Sequence, residues 1–175
     1  MKRLLLYKTA VLLTALAFIV LFAAACGSFG GDNPKATPAP SAITGSEITH
    51  GKITVLVPDG MEIQSAYDVG ETSVCIVNKT EPALKQFFIT VVEPGEEGSI
   101  EAEIKSYKQY YKGEDSVVEA GGAIWTGVSY KLTDSVDCFR VYGIVDSRTV
   151  YVYSVSYAVN SAEANAILGS LRIAK

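Results

Sequence analysis

The chain is short of the side chains that carry most acid–base and metal chemistry. Its 175 residues include one histidine, three cysteines and two methionines. The histidine, His50, has no cysteine or second histidine beside it, so it does not make a zinc or transition-metal motif. Histidine is also the one side chain whose ordinary pKa lies near neutrality. With a single copy, a Ser–His or Cys–His nucleophile would need a distant partner brought to His50, which reads as a solvated loop residue before the first strand. The serine-nucleophile patterns G-x-S-x-G and S-x-x-K are absent. Gly121-Gly122 is followed by neither a P-loop lysine nor a helical pattern, so it is no phosphate loop. These gaps lead to an expectation of no catalytic residues, no metal and no cofactor.

What the chain does have begins at its N-terminus. Lys2, Arg3 and Lys8 lead into an apolar run from Thr9 to Phe22, and three alanines, Ala23 to Ala25, precede Cys26. A basic head, an apolar middle and small residues before a cut site describe a secretory signal peptide. A cysteine directly after those small residues resembles the lipobox of bacterial lipoproteins. In that family the thiol receives a diacylglycerol and the leader is removed. The resemblance implies a leader over 1–25, lipidation of Cys26, and residence at the extracytoplasmic face of a bacterial cell membrane. Two acyl chains on one cysteine meet the two-signal condition for stable anchoring. The same residues leave two other readings open. One is an uncleaved anchor, since the 17 residues of Thr9–Ala25 sit at the lower edge of a bilayer span. The other is ordinary cleavage without lipid.

Residues 26–47 follow as a tether. From Gly27 to Glu47 the chain is mostly Gly, Pro, Ser, Thr and Ala, a composition that cannot offset the entropy of ordering itself. Its reach as a flexible linker is about 25 Å. Residues 48–175 then form a single domain. Removing the leader takes three of 15 basic residues and none of the 19 acidic ones, leaving 12 against 19, a net of −7. That sign argues against nucleic acid or an anionic lipid surface as partner. The expected partners are the membrane, through the lipid, and a protein of the cell envelope. Beyond Cys26, Cys75 and Cys138 form an even pair that permits one disulfide in an exported protein. The alternative is two free thiols buried as small hydrophobes.

The domain alternates short β-rich runs with turn signals. Strands are predicted at Lys52–Val57, stopped by Pro58-Asp59-Gly60, and at Thr72–Asn78 and Gln86–Glu93. From Ser99 the period changes: Ile100, Ile104, Tyr107 and Tyr111 fall on one helical stripe, predicting a helix over 99–111. Ser99 is its expected N-cap and Gly113 its expected stop. Strands return at Ser116–Ala120, Ala123–Leu132, Val136–Val145 and Thr149–Ala158, joined by Gly121-Gly122, Thr133-Asp134-Ser135 and Asp146-Ser147-Arg148. Ser161 caps a second helix over 162–169. Tight turns between consecutive strands make the pairing antiparallel. The fold class is α+β: an antiparallel sheet of about six or seven strands flanked by two helices, on one face or on both.

That order, with its VPDGM, IWTGVSYKL, VYVYSVSY and ILGSLRI segments, resembles the PsbP-like superfamily over about 52–173. The resemblance implies an accessory or assembly role without a shared catalytic site, and it assigns no functional residue.

Two surface features remain. Glu93, Glu96, Glu97, Glu101 and Glu103 are the densest charge cluster, read as a solvated turn and a favourable helix start, with a weak cation site as the alternative. Period two would place Tyr151, Tyr153 and Tyr157 on one face of the last strand, a candidate partner-binding row, with core packing as the alternative. The function expected is that of a non-enzymatic accessory or binding module. Two alternatives are an envelope-acting enzyme using carboxylates such as Glu93 or Asp137, and small-ligand capture for a transporter.

Overall fold

Strand-forming runs between Met61 and Val155 build one large sheet, and each side of it is covered differently. The computed structural model describes residues 43–64 and 70–175. The leader, Cys26 and the tether as far as residue 42 lie outside the described residues. The elements run β1 (Gly45–His50), β2 (Ile53–Pro58), β3 (Met61–Ile63), β4 (Ser73–Asn78), β5 (Gln86–Val91), α1 (Glu97–Tyr111), β6 (Glu114–Ala120), β7 (Ala123–Thr133), β8 (Val136–Val145), β9 (Arg148–Val155), α2 (Ala162–Ser170) and β10 (Arg172–Ile173).

The class is α+β, as expected, but there are two sheets. Seven strands pair in the order β3-β4-β5-β9-β8-β7-β6, and three more in the order β1-β2-β10. Every pairing is antiparallel. The strand expected to open the main sheet, β2, is instead the centre of the small one. Its Ile53, Val55 and Val57 join Phe87, Ile89, Phe139, Val141 and Val152 of the large sheet, and Ile167 and Leu168 of α2, in the main core. The small sheet and α2 therefore cover one face of the large sheet. A second cluster on the other face joins Val128, Tyr130 and Cys138 to Ile104, Tyr107 and Tyr111 of α1. Each face thus carries one helix.

Trp125 of β7 is fully buried in the main core, and its indole N–H donates to the Ala120 carbonyl at 3.3 Å. The ring lies over Gly143 of β8, where a Cβ would come within 2.9 Å of it. Of the three hairpins among β6, β7, β8 and β9, two have two-residue turns with both residues at positive φ, Gly121-Gly122 and Asp146-Ser147. This is the conformation whose twist matches paired strands. Arg148, expected in the second turn, already belongs to β9.

Local expectations differ from the structure in several places. β1 starts at Gly45, inside the segment read as tether, and carries His50 as its last residue rather than in a loop. Its first three residues are exposed, so no apolar alternation marks it; backbone pairing with β2 holds it. α1 starts at Glu97 behind Glu96, not at a Ser99 cap, and Glu96 makes no side-chain capping bond. It stops at Lys112, which takes the left-handed conformation at φ 53° expected of Gly113. Gly113 serves a different need: a Cβ there would sit 2.6 Å from a Val128 methyl. In α2, Ser161 caps as expected, accepting from the Ala164 N–H at 3.2 Å.

Candidate interaction face

The face of the large sheet that carries α1 is organised in cross-strand rows. Register places Phe88, Tyr153, Arg140 and Val128 side by side across β5, β9, β8 and β7, with Thr90, Tyr151, Tyr142 and Thr126 in the next row. Arg140 is the centre. It is an arginine flanked by apolar residues in the middle of β8, and only 8% exposed. Its Nη1 donates to the Tyr151 hydroxyl at 2.6 Å and to Glu103 Oε1 at 2.5 Å, and its Nε donates to the Tyr130 hydroxyl at 3.3 Å. The guanidinium lies 3.6 Å from the Tyr107 ring centre and 4.6 Å from that of Tyr153. Glu103 and Tyr107, one turn apart on α1, reach the same cation because an i, i+4 pair shares a helix face.

This cluster fastens α1 to the sheet. Burial works against the charge of Arg140, but the hydroxyls of Tyr151 and Tyr130 outweigh it and hold the guanidinium charged. Burial raises the Tyr151 pKa well above the ordinary tyrosine value, against the pull of Arg140. The Tyr151 hydroxyl in turn donates to Glu103 at 3.0 Å. Three hydrogen bonds to one buried cation, from two strands and a helix, rigidify the packing around it.

The three tyrosines expected on one face are divided. Tyr151 and Tyr153 share the α1 side, Tyr151 buried and Tyr153 half-buried against Phe88 with ring centres 5.1 Å apart. Tyr157 lies on the opposite side, in the main core, stacked on Phe87 at 4.5 Å. The reason is local. β9 ends at Val155, and Ser156 takes φ 65°, which breaks the period of two.

Cys75 and Cys138 are free and buried, so the disulfide reading is corrected. β5 and β9 lie between their strands. Three interstrand steps separate them by about 14 Å, beyond the ~7 Å that a bridge spans. Burial raises both thiol pKa values. Of the expected acidic cluster, Glu103 turns inward to Arg140 while Glu93, Glu96, Glu97 and Glu101 stay exposed. Among the described residues no three His, Cys, Asp or Glu side chains form a metal-sized group. Asp137, considered as an acid, pairs with Lys131 at 3.0 Å.

Two open features remain on this side. A groove of about 460 Å³ runs between the C-terminal end of α1 and the β7–β8 hairpin, walled by Tyr111, Tyr130 and the Lys131–Asp137 pair. At the other end, beyond the first turn of α1, the sheet face is bare. Val117, Ile124 and Ile144 are 67%, 62% and 68% exposed there. Arg140 and the bare strip escaped sequence reasoning. The only signal for Arg140 was a cation inside the apolar run of β8.

No protein-family model matches the chain, and no curated protein matches it. Among solved structures, it is similar to the solution structure of cyanobacterial PsbP (CyanoP) from Synechocystis sp. PCC 6803. That match has 12% identity and a TM-score of 0.47, covering 85% of this chain and 99% of that one. It is also similar to a crystal structure from Bacteroides thetaiotaomicron VPI-5482, with 14% identity, a TM-score of 0.48 and 75% of this chain covered. The match covers 49% of the Bacteroides chain, about half its length.

Proposed function

We propose that the chain is a lipoprotein held at the extracytoplasmic face of a bacterial membrane by a diacylated Cys26, with a PsbP-like domain acting as a non-enzymatic binding module. The leader-like order of residues 1–26 supports the anchor. The observation that carries the binding role is the position of the bare strip relative to the point where the chain enters the domain. The chain enters at Thr44, whose carbonyl accepts from the Asp59 N–H at 2.9 Å. Asp59 follows the Pro58 end of β2. The opposite end of β2, at Ile53, pairs with Ile173, whose N–H donates to Asp146 in the β8–β9 turn. Ile144 stands beside that turn. The exposed apolar side chains therefore stand at the end of the domain away from Thr44, on a face open to a partner.

Mass spectrometry of protein from its own membrane tests the anchor. The expected species begins at a diacylated Cys26, and Cys26→Ser releases the protein to the soluble fraction. A retained 1–25 segment or an unmodified Cys26 thiol would falsify it. A photo-crosslinking residue at position 144, compared with one at position 163, tests the binding role in the cell. A protein adduct is expected at 144 only, and none at either position removes the role. The groove beside Tyr111 favours a second reading, small-ligand capture, since its size suits a small molecule. That reading requires a ligand-induced rise in melting temperature that Tyr111→Ala abolishes.

A further inference from the structure

We propose that the bare strip of Val117, Ile124 and Ile144 seats an amphipathic helix with basic flanks, supplied by a partner protein. The proposal rests on the binding-module reading above and names the partner's chemistry. The strip is continuous. Ile124 of β7 stands opposite Glu119 of β6, Thr126 stands between Val117 and Tyr142, and the same register carries Ile144 of β8 next to Ile124. All share the α1 side of the sheet, because they lie an even number of residues from Val128 or Arg140 in the paired strands. Large β-branched side chains at this exposure, grouped across three neighbouring strands, mark an interaction site rather than scattered surface apolar residues.

The space suits a helix. α1 packs on β7 and β8, and its Glu101 reaches only as far as Tyr142, so the uncovered part of this face lies beyond its first turn, where a helix about 10 Å wide would lie across β6, β7 and β8.

The charges select the partner. Glu119 faces Ile124 across the β6–β7 pair, Glu101 accepts from the Tyr142 hydroxyl at 3.4 Å, and Glu97 lies one turn before Glu101. None of the three forms an ion pair among the described residues. Of the nearby cations, Lys108 pairs with Asp115 at 2.5 Å, while Lys105 and Arg172, the latter in the recess behind Ile144 and bonded to the Leu171 carbonyl, form no ion pair among the described residues. An acidic rim repels an anionic lipid surface and repels the same rim on a second copy of this chain. It attracts an apolar helix flanked by Lys or Arg.

The test uses an 18-residue amphipathic Leu/Lys peptide and a Leu/Glu peptide of the same pattern, titrated into the isotope-labelled protein while amide shifts are read. The expected result is saturable binding of the Leu/Lys peptide alone, with the largest shifts at residues 117, 124 and 144. Ile124→Thr with Ile144→Thr should weaken it at least tenfold, and Glu101→Lys with Glu119→Lys should switch preference to the Leu/Glu peptide. The second pair of changes is fully on the surface and keeps the test available if the first disturbs folding. Equal binding of both peptides, shifts confined to the Tyr111 groove, binding to anionic vesicles, or dimerisation that broadens the strip signals without peptide would each overturn the proposal. Failure here with a diacylated Cys26 removes the cationic partner and leaves the anchor standing.

Discussion

Arg140 is the residue on which the α1 side of the sheet turns. It gathers two tyrosine hydroxyls, two tyrosine rings and one carboxylate around a buried cation. Its neighbour Tyr151 gives a pH test. Burial holds the Tyr151 pKa above the ordinary 10.0 in the folded protein. Below about pH 10 both states keep the proton and nothing changes. Above it the unfolded tyrosine ionises first, so stability must fall as pH rises. Urea melts between about pH 8 and pH 11 should show this decline, to which the buried Tyr130, Tyr157, Cys75 and Cys138 also contribute, and Tyr151→Phe should make it less steep above about pH 10; an unchanged slope would mean that Tyr151 takes no part. Trp125 tests the opposite side. It is fully buried against Gly143, so Trp125→Ala should cost about 3–5 kcal/mol. A cost under about 1 kcal/mol in the same melts would contradict its place in the core.

At the scale of elements, α1 is the most lightly held. None of its residues is fully buried, and it rests on the sheet through half-buried Ile104, Tyr107 and Tyr111 and the Glu103–Arg140 pair. Elements with few buried apolar contacts open first. Amides of α1 should therefore exchange with deuterium well before those of β7, β8 and β9, and Glu103→Ala should speed α1 further. The side chain of Glu103 is 40% exposed, so solvent screens the pair. Its loss should cost only about 1 kcal/mol. Uniform protection across α1 and the sheet would show instead that they unfold together. The C-cap offers a gain. Lys112 occupies the left-handed region at φ 53°, where glycine carries no Cβ penalty. Lys112→Gly should raise stability by about 0.5–1 kcal/mol, read as a higher urea midpoint.

At the scale of the molecule, the described residues form two sheets and two helices, and the large sheet is buried on one face and half-covered on the other. Its buried thiols report on the unity of that arrangement. Cys75 and Cys138 sit on β4 and β8 with two strands between them, and burial raises both pKa values. A thiol reagent acts on the exposed thiolate, so both should stay unreactive in the native protein. Both should then react at one shared rate under conditions where the molecule opens globally. If Cys138 reacts faster than Cys75, the groove end near β8 opens by itself.

The sequence alone determined the class, the antiparallel pairing, both helices and most strand positions, because these follow from period, turn residues and caps spaced a few residues apart. The Asp146-Ser147 turn, the Ser161 cap and the exact span of β8 are local matters. Only the tertiary structure decided which sheet β2 joins, since one apolar strand can pair with several partners. It also divided the tyrosines, because a single left-handed Ser156 moves Tyr157 to the other face. It separated the two cysteines by two strands, and it gave Arg140 a carboxylate from a helix 37 residues away in sequence. The bare strip was decided there too. Val117, Ile124 and Ile144 are apolar strand residues, and they are exposed because the first turn of α1 reaches Tyr142 and leaves their end of the sheet uncovered.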